Sequence, residues 1–184
     1  MNEEKTDLQE EVDRETSRPS EIDTLVAAFY NRDPGVRQRA RESLVEIGKP
    51  AVEPLIEALR EGNTQVQWDA AKALGQSGDP AVAPALASQL DHGDHGVRWL
   101  AAEGLVSIGV EALEPLLEVL AERGDEQPIR RGAHHVLEEL GDRAPQEKVA
   151  PVLEALEGPD PDIEAPRAAR VALYGSAGAP EELE

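Results

Sequence analysis

Four times along the chain an apolar residue is followed, at steps of four, by alanine, leucine and glycine. The copies are Val36, Ala40, Leu44, Gly48, then Val66, Ala70, Leu74, Gly78, then Val97, Ala101, Leu105, Gly109, and finally Ile129, Ala133, Leu137, Gly141. Successive copies start 30, 31 and 32 residues apart, and the internal spacing never changes. A step of four keeps the members of a copy on one stripe of a helix. Alanine in mid-stripe lets a neighbouring helix come close, and glycine after it supplies the left-handed turn that stops the helix. A fixed unit recurring at this period is the mark of stacked repeats, so the fold must bury each stripe against the next copy.

Between these helices lies a second type. It contains Ala51-Val52-Glu53-Pro54-Leu55-Ile56-Glu57-Ala58-Leu59, then Ala81-Val82-Ala83-Pro84-Ala85-Leu86, then Ala112-Leu113-Glu114-Pro115-Leu116-Leu117-Glu118-Val119-Leu120. A fainter copy runs from Val149 to Leu156, and an earlier member, Ile22 to Tyr30, lacks the proline but opens on Ser20-Glu21-Ile22-Asp23, a capping box. The proline is expected in the first turn, where its missing N–H costs little. Pairing each proline-type helix with the alanine/glycine-type helix after it gives five hairpins. The last departs from the pattern, with Pro166 and the spacing Ile163, Ala169, Leu173, as a terminal cap facing water would. The repeat domain is therefore expected over 20–176. Residues 1–19 read as a disordered acidic tail and 177–184 as a flexible acidic one.

Composition narrows the function. Aromatic residues make up 3% of the chain, so Leu, Val, Ile and Ala must fill the core, which suits packed helices. There is no cysteine, which excludes disulfides, thiolate metal sites and a cysteine nucleophile, and fits a reducing compartment. The net charge of -20 repels both the phosphate backbone of nucleic acids and anionic lipid surfaces. No apolar run is long enough for a bilayer, and the first residues lack a signal-peptide pattern. The expectation is a cytoplasmic monomer whose partner is another protein or peptide.

The string Asp33-Pro34-Gly35-Val36-Arg37 with Ala40, Leu44 and Ile47-Gly48 resembles a HEAT repeat. The short period, and the run Gly48, Pro50, Ala51, Val52, Pro54, Leu55, are similar to the HEAT-like repeats named from phycobilisome lyases. The resemblance implies an all-α fold, a right-handed α-solenoid (α-α superhelix) of about five HEAT-like helical hairpins. It also implies that proline-type helices form the convex side and alanine/glycine-type helices the concave side. Family members include scaffolds, lyase subunits, chaperones and some enzymes, so the fold does not by itself assign a function. The family's Asp and Arg positions are filled by Asp33/Arg37, Asn63/Gln67, Asp94/Arg98 and Glu126/Arg130, which read as caps and inter-repeat pairs.

With Val, Ala and Leu buried, the residues two and six places after each starting apolar residue share another face. They are Gln38/Glu42, Trp68/Lys72, Trp99/Glu103 and Arg131/His135. The two tryptophans, the whole complement of the chain, hold equivalent positions in consecutive repeats and are expected side by side. Tryptophan buries area at an interface and keeps a donor for the partner. The expected partner-binding residues on the concave face are thus Trp68, Trp99, Lys72, Glu103, Arg131, His135, Arg98 and Gln38. Arginines gather on the concave-side helices while many carboxylates fall on the convex ones, which favours an acidic and apolar partner.

No catalytic, cofactor or metal site is expected. The di-iron hydroxylases built on HEAT-like repeats use His-Glu dipeptides, and none occurs here. His134 and His135 point about 100° apart on a helix and so do not chelate one ion together. His92 and His95 read as parts of a polar connection from Asp91 to Gly96. Phosphate loops, His-Glu-x-x-His and Gly-x-Ser-x-Gly are absent. HEAT-like DNA glycosylases place Trp and Asp on their concave face, as Trp68, Asp69 and Trp99 would, but need a basic groove that this charge denies. Gly104 and Gly132, inside helices, mark close helix contacts. The alternative reading is a bilin-lyase-like or chaperone-like accessory subunit acting on a partner protein.

Overall fold

The computed structural model describes residues 20–175, so the tails expected at 1–19 and 177–184 lie outside the described residues. Ten α-helices follow one another, with no strand among the described residues. The alanine/glycine type forms α2 (Pro34–Ile47), α4 (Thr64–Ser77), α6 (His95–Ile108), α8 (Gln127–Leu140) and α10 (Pro161–Tyr174), each 14 residues long. The proline type forms α1 (Glu21–Ala27), α3 (Lys49–Glu61), α5 (Ala83–Ala87), α7 (Leu113–Arg123) and α9 (Gln146–Glu157), from 5 to 13 residues long. This is an all-α solenoid of helical hairpins.

The repeating stripe is the core. Leu44, Val66, Ala70, Leu74, Val97, Ala101, Leu105, Ile129, Ala133 and Leu137 have no exposed surface. From α2 through α8 the alanine/glycine helices pack in series, α4 against α6 most extensively. Two glycines explain that closeness: a β-carbon on Gly75 would stand 2.9 Å from the Cα of Gly104. The backbones touch where side chains are missing, so the α4–α6 contact has no room for a methyl group. Gly48, Gly78, Gly109 and Gly141 end their helices at positive φ, the turn that L side chains rarely adopt.

Two expectations need correction. Pro54 and Pro151 lie inside α3 and α9, at their sixth residues, because those helices begin further upstream. Pro84 and Pro115 do sit in the first turn of α5 and α7, after the short 3-10 turns Pro80–Val82 and Gly109–Ala112. The second correction concerns the fifth hairpin. Ile163 is 64% exposed, and Ala165, Pro166 and Ala169 are buried instead. That shifted stripe packs α10 mainly on α7 and α9, with far less contact to α8. Pro166 meets Gly124 at the end of α7, and Arg170 donates to the Ala121 carbonyl at 2.6 Å. Arg167 and Arg170 therefore do not join the row formed by α2 to α8.

The family's Asp and Arg positions hold the solenoid together. Asp33, Asn63 and Asp94 accept from backbone N–H groups in the first turn of their helices. Arg37, Arg98 and Arg130 each donate to two carbonyls of the loop just before their helix. The repeat with Gln67 instead of arginine has a different tie: the Gln67 side chain meets His92 Nε2 at 2.9 Å, linking α4 to the loop before α6. Arg123 at the end of α7 binds Asp91 of that same loop and Glu126, and these carboxylates raise its pKa above the ordinary arginine value, Asp91 contributing most.

Candidate partner-binding site

Eight side chains were expected to share a face, and the packing of α4, α6 and α8 divides them. On α4, Trp68 is half-buried, with the edge of its indole against Gly96 at the start of α6. Lys72, one turn later, lays its ammonium 4.9 Å from the Trp68 ring centre. Charge over an aromatic face is favourable, so the pair covers itself. On α6, Trp99 stays 50% exposed. His135, one helix further on, stacks on it with ring centres 5.1 Å apart and planes 29° apart. The imidazole is held in place by Glu103, whose carboxylate lies 2.9 Å from Nε2. Gln38 belongs to neither group, since it bonds Glu42 along α2.

Beside Trp99 lies a cavity of about 260 Å3 between α6 and α8. Leu90 and Gly132 line it as well, and a β-carbon on the glycine would meet the end of the Leu90 side chain at 2.8 Å, so that leucine would have to shift. Trp99, Ala102 and Pro128 form apolar walls, while Arg98, Arg131, His135, His95 and Gln127 bring polar atoms to it. Four of the expected residues thus meet here, and a fifth, Glu103, braces His135 from the side. Arg98 contributes charge more than reach, as its guanidinium is held by the carbonyls of His92 and Gly93. Arg131 is exposed and makes no hydrogen bond or ion pair with any described residue.

Sequence reasoning missed Leu90, His95, Gln127 and Pro128. They belong to loops or helix starts outside the repeating stripe, and no local pattern ties them to Trp99. It also took Asp69 only as a possible binding residue. Asp69 is in fact 1% exposed and accepts from Arg37 at 3.0 Å, Arg41 at 2.7 Å and Gln65 at 2.9 Å. Arg41 is itself buried, and its Nε has no partner. This knot joins α2 to α4 and is structural.

Two other features lie apart from Trp99. A larger cavity, about 820 Å3, runs between α9 and α10 and mixes Glu147, Glu154 and Glu164 with Lys148 and Arg167. It contains none of the residues above. His134, Glu138 and Glu157 bring metal-capable atoms within 4.8 Å of one another. All three are at least partly exposed, and the two imidazole nitrogens face different carboxylates, at 3.0 and 3.3 Å. Hydrogen bonding accounts for that arrangement.

A series of helical hairpins whose second helices stack through an Ala/Leu stripe and stop at a left-handed glycine is a helical-repeat scaffold. Comparison with protein families agrees: the HEAT repeats model matches residues 52–138, and the PBS lyase HEAT-like repeat model matches residues 36–61. Residues 36–138 thus carry HEAT-like repeats, a kind of repeat that commonly binds other proteins. No curated protein matches it. No helix among the described residues is long and apolar enough to cross a membrane.

Proposed function

We propose that this protein is a non-catalytic interaction scaffold or adaptor. It holds a protein or peptide partner against the face carried by α6 and α8, read from the family resemblance as the concave side. The observation that carries this reading is Trp99, a large side chain left half-exposed at the mouth of a cavity and braced from behind by His135 and Glu103. An aromatic ring held in one orientation loses little freedom when a partner covers it, which is how binding anchors gain affinity. Trp68 and Lys72 contribute at most the edge of the surface, and Gln38 is peripheral to it.

The test is affinity capture from a lysate with the wild-type chain, Trp99→Ser and Trp68→Ser, all first matched by circular dichroism. A partner retained by wild type and Trp68→Ser but lost by Trp99→Ser supports the reading. A partner lost equally by both tryptophan variants, or by neither, counts against it. The alternative, an accessory subunit of the bilin-lyase or chaperone kind, draws on the match over residues 36–61. That segment forms α2 and α3, which do not line the Trp99 cavity.

A further inference from the structure

The Trp99 cavity does not end at α8. A second cavity of about 330 Å3 lies on the other side of the same helix start and is lined by Gln127, Arg130, Arg131, His134, Leu156 and Pro161. Gln127 and Arg131 line both, so the two cavities adjoin at these side chains and make a two-part trough across the first turns of α8. Its ends are apolar, with Trp99 and Leu90 at one and Leu156 and Pro161 at the other. Its middle is basic.

That middle is unusual for this chain. With 38 acidic against 18 basic residues, a cavity drawn at random carries carboxylates. The groove between α9 and α10 has Glu147, Glu154 and Glu164, and the one beside α1 has Asp23, Glu57 and Glu61. Among the described residues, no carboxylate lines either half of the trough. The arginines add positive charge that no carboxylate cancels. Outside the trough Arg37, Arg41 and Arg123 are neutralised by Asp69, Asp91 or Glu126, while Arg170 is held by a carbonyl alone. Around the trough Arg98 and Arg130 donate to loop carbonyls and Arg131 to nothing described, so none of the three has a carboxylate partner. The nearby Glu103, Glu138 and Glu157 are engaged with His135 and His134.

We propose that this trough takes an extended acidic segment of the partner protein, with an apolar side chain seated beside Trp99 and a carboxylate on Arg131. The inference rests on the reading of Trp99 as the binding anchor and adds the chemistry of what is bound. Charge complementarity selects the occupant. A planar guanidinium left without a partner matches a carboxylate in two parallel hydrogen bonds. A nucleic acid fits worse, because its continuous phosphate charge meets a body of net charge -20, whereas a peptide brings a few carboxylates to one local basic spot. Screening over about 8 Å at physiological salt limits how far the acidic body repels such a segment.

The experiment is a displayed random-peptide selection on the whole chain, followed by fluorescence anisotropy with the selected peptides as labelled synthetic probes. Enrichment of sequences with Asp or Glu within two places of a large apolar residue is the expected result. Arg131→Ala should then weaken binding roughly tenfold, the loss typical of a hydrogen bond to a charged group, and Arg131→Lys should recover part of it. Replacing the probe's carboxylates by amides should cost as much as Arg131→Ala, and the two changes should not add. If neutral peptides are selected and depend on Trp99 but not on Arg131, the acidic-segment inference fails while the anchor reading stands. Selected peptides indifferent to both residues, or no selected peptide at all, overturn both. Tighter binding of a phosphorylated probe or a single-stranded RNA than of the carboxylate probe also overturns the inference.

Discussion

Trp68 and Trp99 occupy the same position in consecutive repeats, yet one is packed away and the other is presented. The residue that decides is one repeat further on. The place before the starting apolar residue is Gly96 in α6 and Pro128 in α8. Gly96 leaves a space in which the Trp68 ring lies, so close that a β-carbon would sit 3.2 Å from it. Pro128 instead puts its own ring into the wall of the cavity that Trp99 borders. The residues one turn on also differ: Lys72 covers Trp68, whereas Glu103 turns away to hold His135 against Trp99. Even the next residue contrasts, as Asp69 anchors a buried ion cluster and Leu100 is ordinary apolar packing. Repeat position sets where a side chain starts, and the following repeat sets whether it stays exposed.

The strongest way to test this contrast is to attack the α2–α4 side. Asp69→Ala strands Arg37 and Arg41 in a buried setting and is expected to destabilise the chain by about 3–5 kcal/mol in urea unfolding. A loss under about 1 kcal/mol would show the knot to be solvated and Trp68 to be on a looser surface than described. Leu105→Ala serves as the control between the two sites, since it lies in the core of α6 and is fully buried. Its expected cost is about 2–5 kcal/mol. It should lower protection at both tryptophans together, and selective loosening at Trp99 would mean the two sites do not share a core.

The next comparison is direct. Trp68→Ser removes packing against Gly96 and Lys72, with an expected cost of about 1–3 kcal/mol, while Trp99→Ser should fall within about 0.5 kcal/mol of wild type. Equal losses in thermal melts would put Trp99 in the core and remove the ground for calling it an anchor. The smallest effects concern the deciding position itself. Gly96→Ala should leave stability within about 0.5 kcal/mol, because helix propensity gained offsets crowding, but should shift Trp68 emission to the red as the ring is pushed outward. Pro128→Gly should do the reverse at Trp99 and reduce its quenching by acrylamide. Unchanged emission in both variants would locate the cause outside this position.

Much of the fold is legible in the sequence. The step of four predicted the buried stripe residue by residue from Ala40 to Leu137, and the glycines predicted where four helices stop. Legibility failed at the fifth hairpin, where the stripe moved to Ala165 and Ala169 and carried α10 onto α7. Pro166 and the changed spacing of this helix put Ala165 and Ala169, four apart, on the buried side, and that stripe faces α7 instead of α8. At the site, the fold brings Trp99, Arg98, Arg131 and His135 to one cavity, while Trp68, Lys72 and Gln38 share only the periodicity with them. Leu90, His95, Gln127 and Pro128 carried no periodic signal.

What the amino-acid order determined by itself was the unit: helix, alanine contact, leucine core and glycine stop, repeated until stacking was the way to bury every stripe. Those are local properties, set by backbone sterics and the 3.6-residue turn, and they read the same in each copy. What only the tertiary structure decided was which outward side chains remain available. That depends on the shape of the next repeat, on a missing methyl at Gly96 or a ring at Pro128, and on which arginine finds a carboxylate within reach. Such contacts join residues about thirty positions apart, and close packing turns a single atom's difference there into a ring that is covered or a ring that is offered.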